Sequence, residues 1–180
     1  MMKKLVLSLL STVAILTPGV AKAENTYEDH VSLWNTLGKL GVVTVINNKI
    51  HCNGKYAGSY FAYSGLFVVC QENGISGGPQ VEWTKNDLDT LRHEAHHVIQ
   101  DCVDGSLGDG KSSTMFNHEE LIEFGIKSSW TEKELSKLID NLKGQDLSNN
   151  EILEEVEAYI VASDIPVTLI EKKVVEFCTN

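Results

Sequence analysis

The five residues His93-Glu94-Ala95-His96-His97 restrict the fold of this chain more than any other stretch. Their spacing, HExxH, finds its chemical use on a helix. Residues four apart there stand one above the other, so the rings of His93 and His97 can reach one point with Glu94 beside them. Chance supplies such a match in about one chain in a hundred of this length. The pentad therefore predicts a helix, and it also demands a second element that packs over that helix and completes the site.

The flanking residues support the helix. Asn86, Asp87 and Asp89 supply the capping and acidic residues of a helix start, and Thr84 with Asp87 has capping-box spacing. The expected span is residues 86–102. Leu88, Leu91, Ala95, Val98, Ile99 and Cys102 recur at helical spacing as one apolar stripe, and His93 and His97 fall on the opposite side. Histidines that merely filled a core would lie in the stripe. Two neutral imidazoles, a carboxylate from elsewhere and a water are the ligand set of a catalytic zinc, with Glu94 placed as general base. A metal-dependent hydrolase is the expectation.

Residues 1–23 are different text. Lys3 and Lys4 precede an apolar run from Leu5 to Leu16, and Ala21-Lys22-Ala23 ends it, the order of a secretory signal peptide. The run is too short to span a bilayer, and no later segment is apolar enough, so stable membrane insertion is not expected. Cleavage after Ala23 is expected, leaving residues 24–180 as one domain. Export leaves a periplasmic and a released protein equally open. Losing Lys3, Lys4 and Lys22 takes the formal charge from −10 to −13, which argues against nucleic acid or anionic lipid as partner. Nothing in the sequence sets an oligomeric state.

All four cysteines, Cys52, Cys70, Cys102 and Cys178, follow the leader, and an even count in an exported chain favours disulfides over free buried thiols. Three pairings are possible and spacing does not choose. The favoured pair of bridges is Cys52 with Cys70, closing a β-rich loop, and Cys102 with Cys178, tying the end of the motif helix to the C-terminus.

The rest reads as α+β, a small antiparallel sheet beside a mainly helical C-terminal half. A first helix over residues 27–40 ends at Gly41. Residues 42–46 are strand-like, Asn47-Asn48 signals a turn, and residues 50–52 resume a strand. Residues 56–63 and 66–70, parted by Ser64-Gly65, form a hairpin. Residues 74–79 and 104–110 are loops. Capping-box spacing recurs at Asn117/Glu120, Thr131/Glu134 and Ser148/Glu151, and Asp164 with Pro166 opens a last helix ending near Cys178.

The third ligand must be His, Asp or Glu on an element packed over the motif helix. The segment from Glu154 to Tyr159 stands out, on a helix whose apolar face holds Ile152, Val156, Tyr159, Ile160 and Ser163. Glu155 and Glu157 flank that face at comparable distances, so periodicity does not separate them. A solvated acidic face is the bland alternative. His118 is a further candidate ligand or transition-state donor, His96 is expected to bond locally, and His30 and His51 read as structural or exposed.

An HExxH helix followed some sixty residues later by an acidic helix with Glu-x-x-Ala resembles the zincin metallopeptidases, and among them the gluzincins. The resemblance covers residues 88–160, and only the HExxH portion is highly specific. It implies a zincin-like fold, a Zn2+ ion, peptide or protein substrates, and a glutamate ligand three residues before a small residue and four before an Asp or Asn. Glu155 meets the first condition through Ala158, and Tyr159 stands where the acid or amide would support the first histidine. Glu157 stays the alternative. The resemblance also implies an edge strand that aligns substrate, for which residues 60–63 or 66–70 are candidates, and a transition-state donor among Tyr159, Tyr63 and His118. Two rival readings remain: an inactive zincin-like binding module with a structural metal, and an exported inhibitor or adhesion protein with an accidental HExxH.

Overall fold

A computed structural model describes residues 25–179, so the expected signal peptide lies outside the described residues. The chain is α+β: α1 (Tyr27–Lys39), β1 (Val43–Ile46), β2 (Gly58–Phe61), β3 (Leu66–Val69), α2 (Lys85–Asp104), α3 (His118–Lys127), α4 (Glu132–Lys143), α5 (Asn149–Asp164) and α6 (Val167–Cys178). Among the described residues no helix is long and apolar enough to cross a membrane.

The motif helix is α2, and it is the hub. Its Leu91, Ala95, Val98, Ile99 and Cys102 share a core with Leu33 and Leu37 of α1, Phe67 and Val69 of β3, Val161 of α5, and Val167, Ile170 and Val174 of α6. A second cluster of Leu142, Ile152, Val156 and Ile160 joins α4 to α5. Placing α5 between two cores explains why its apolar stripe is broad and its carboxylates hard to rank by periodicity. All four sequence-based capping boxes form, and Thr26 with Asp29 adds one on α1. Each such cap contributes about 1 kcal/mol. Asp164 does not open the last helix. It closes α5 and accepts from Ser129 N at 2.6 Å, while Pro166 caps α6.

The sheet departs from the antiparallel expectation. Its order is β1-β3-β2, with β3 antiparallel to β2 and parallel to β1. The run Leu-Phe-Val-Val of β3 is apolar on both faces, which suits a central strand, so the hairpin folds back between its own first arm and β1. Nor do residues 50–52 form a strand. Asn48 Oδ1 accepts from Ile50 N (2.9 Å) and His51 N (3.3 Å), a side-chain turn that competes with the ladder.

Both favoured disulfides are present. Cys52–Cys70 and Cys102–Cys178 have Cα separations of 5.3 and 5.1 Å, and no described cysteine is free. Restricting the unfolded chain, each contributes roughly 3–4.5 kcal/mol in the entropic account, the longer loop more. The pair fits an oxidising location.

Candidate metal centre

A cleft of about 1580 Å³ runs along the exposed side of α2. Residues 55–64, including β2, form one wall, α5 and the α4–α5 connection form the other, and His93, Glu94 and His97 lie in the floor. The close approach of β2 to α2 depends on Gly58, where a Cβ would sit 2.6 Å from Thr90 Cγ2 and 2.9 Å from Glu94 Oε1. The wall is held from behind by Asp101, which accepts from Tyr60 Oη at 2.5 Å and from Gly108 N in the glycine-rich loop at 2.8 Å.

Glu155 of α5 faces both histidines of the motif. Its Oε2 is 3.3 Å from His93 Nε2 and its Oε1 is 3.5 Å from His97 Nε2, and the two nitrogens are 3.1 Å apart. A four-coordinate ion with ligands at about 2.0–2.1 Å sets its ligand atoms about 3.3–3.4 Å from one another. Each histidine faces a different Glu155 oxygen at a separation near that value, and His93, His97 and Glu155 could hold a metal ion. Glu157, the other candidate, is fully buried elsewhere. It accepts from His96 Nε2 (2.5 Å), Gln100 Nε2 (3.2 Å), Met115 N (2.9 Å) and Phe116 N (3.1 Å). His96 therefore bonds across to α5 and not locally.

The chain matches no protein-family model, no curated protein and no solved structure at a significant level. Chemistry must carry the reading.

His97 and Glu155 perturb each other's titration. Burial pushes the Glu155 carboxyl up, but hydrogen bonds from His93 and His97 outweigh it and hold the group well below the usual carboxylate range. Burial likewise lowers His97, yet the Glu155 hydrogen bond and the charges of Glu94 and Glu155 win and raise it to about 9. Glu94 moves the other way. Its burial raises it, with His93 and His97 opposing, Glu155 adding, and the Tyr60 backbone amide opposing.

The remaining candidates divide by place. Tyr159 and Tyr63 border the cleft, whereas His118 is exposed at the start of α3 and outside it. The Tyr159 ring lies 4.4 Å from that of His93, and His93 Nδ1 is buried without a hydrogen-bond partner. Of the two strand candidates, β3 is internal to the sheet and β2 is its open edge along the cleft. His30 is buried, with its two ring nitrogens 2.6 Å from Thr26 O and 2.9 Å from Arg92 Nη1, and His51 packs on Phe61.

Sequence reasoning passed over Gln100, Asp101, Glu154 and Gly58. Gln100 stood three residues after His97, a spacing that shares a helix face, and that was a usable signal. Glu154 lines the cleft, accepts from Ser112 Oγ at 2.8 Å, and is pushed up by burial.

Proposed function

We propose that the chain is an exported zinc-dependent metallopeptidase that hydrolyses peptide bonds. The observation that carries this reading is the convergence of His93 Nε2, His97 Nε2 and the Glu155 carboxylate on an open cleft, the two nitrogens 3.1 Å apart and each within 3.5 Å of one carboxylate oxygen. When bound there, a zinc ion supplies a Lewis acid for the scissile carbonyl and lowers the pKa of its water to about 7.

The chain's own groups supply the rest. Glu94, raised by burial, takes the proton of the attacking water on its carboxylate and hands it to the leaving amine nitrogen. The phenol of Tyr159, raised by burial and then by the charges of Glu155 and Glu94, stays protonated and can donate to the developing oxyanion. The open edge of β2 offers main-chain groups to an extended peptide. The cleft also exceeds the roughly 300–1,000 Å³ of small-molecule pockets, which favours a polymeric substrate.

The rival reading, a metal-binding module without activity, draws on the unpartnered His93 Nδ1, since ligating histidines generally donate that proton to an acceptor. An accidental motif is harder to reconcile with the convergence of Glu155 from a separate helix. The purified mature chain should hold one zinc ion, measured by elemental analysis, and should cleave an unfolded protein mixture. Glu94→Gln should lower that cleavage about 10²–10⁴-fold. Equal cleavage by both forms would sink the mechanism, and absence of stoichiometric zinc would sink the site.

A further inference from the structure

Gln100 is fully buried behind the cleft, and its amide has only one sensible orientation. Its Nε2 lies 3.0 Å from the backbone oxygen of Glu154 and 3.2 Å from Glu157 Oε1, two groups that only accept. The amide oxygen is thereby left facing His97 Nδ1 at 2.7 Å. An amide oxygen cannot donate, so Nδ1 must carry a proton. In the neutral ring, Nε2 then bears the lone pair. Turning the amide over would set its oxygen against two acceptors and lose both of those contacts.

We infer that Gln100 is a positioning residue that fixes the orientation and tautomer of His97, so that its Nε2 lone pair faces His93 and Glu155. The inference rests on the metal-site reading above. The lock is built on α5, which also carries Glu155. Glu157, which holds the Gln100 amide, is itself held by His96 and by the amides of Met115 and Phe116. One network therefore sets the ring and the helix that brings the third ligand. His93 has no equivalent, because its Nδ1 is without a partner. The two histidines are alike in the motif and unlike in their support.

The test is imidazole ¹⁵N NMR on the full disulfide-bonded chain without metal, at a pH above the titration of His97, paired with zinc affinity from competition with a chromophoric chelator. Wild-type His97 should be in the Nδ1–H form. Gln100→Met should shift it to the Nε2–H form and lower zinc affinity about 10–100-fold. A packing role alone would lower thermal stability without moving the ring nitrogens. The inference is overturned by a wild-type His97 in the Nε2–H form, or by a variant that keeps either the tautomer or the affinity. Should Gln100→Met fail to fold, the wild-type ring decides by itself. A wild type that takes up no zinc removes the metal site and this role with it, whereas a zinc-binding wild type with an Nε2–H His97 overturns the role of Gln100 alone.

Discussion

His96 and Glu157 meet between α2 and α5 at 2.5 Å with neither side chain exposed, while one residue along the same helix His97 faces Glu155 at 3.5 Å beside an open cleft. The residue types and the two helices are the same in both pairs. The difference lies in what else reaches each carboxylate. Glu157 takes four hydrogen bonds, two from α2 and two from the backbone at 115–116, so its carboxylate is committed and the pair serves as a joint. Glu155 faces two ring nitrogens, both at 3.3 Å or more, and keeps 30 % of its side chain exposed. A histidine–glutamate contact is thus structural when saturated and available to an ion when under-filled.

The sharpest way to break this contrast is Glu157→Leu. Stranding His96, Gln100 and two backbone amides should cost about 3–5 kcal/mol, read from chemical denaturation of the metal-free chain. Glu155→Gln should change that stability by only about 1 kcal/mol while weakening zinc binding by more than the ~100-fold that loss of an outer partner can cost. If both substitutions destabilised the metal-free protein equally, the distinction between joint and ligand would collapse. Affinity should also follow pH in a stated direction. The folded-state titration of His97 is raised to about 9, so below that pH the ion must displace a proton from the ring. Zinc affinity should then rise about tenfold per pH unit up to about 9 and level off above it. Glu155 is held below the usual carboxylate range and adds no dependence in that window. A flat profile from pH 6 to 9, seen by chelator competition, would count against the pairing of His97 with Glu155. The smallest effect belongs to Ser148→Ala, which removes the cap of α5. It should cost about 1 kcal/mol in melting experiments and leave zinc affinity within a factor of two, because α5 is held by packing on both sides.

The α2 helix, its capping box and the presence of disulfides were legible because they rest on local spacing and on a count of four cysteines, whereas the favoured pairing needed the fold to choose it from three. Three of the later helices announced themselves through Asn117, Thr131 and Ser148 in the same way. The sheet was less legible. That β3 lies between β1 and β2 depends on which apolar strand is sealed on both faces, and the burial of Phe67, Val68 and Val69 is settled only by tertiary packing. Asn48 could not be read as a turn-maker strong enough to end a strand, since its side chain competes with a ladder that never forms. The separation of Glu155 from Glu157 was hidden for a related reason. Both sit on the margin of a wide apolar face, and what divides them is the backbone at residues 115–116, far off in sequence. For Gln100 the spacing from His97 gave the shared helix face, but what its amide holds depends on Glu154 and Glu157 of α5, more than fifty residues away.

The bridge from Cys102 to Cys178 has a bearing on survival as well as on folding. It joins the end of α2 to the end of α6, so that α3, α4 and α5 lie within a covalently closed loop. A single nick in that loop leaves the two fragments tethered as one molecule. Glu155, on one side of such a break, stays within reach of the histidines it must meet. The chain carries in that sulfur bond a tolerance of being cut.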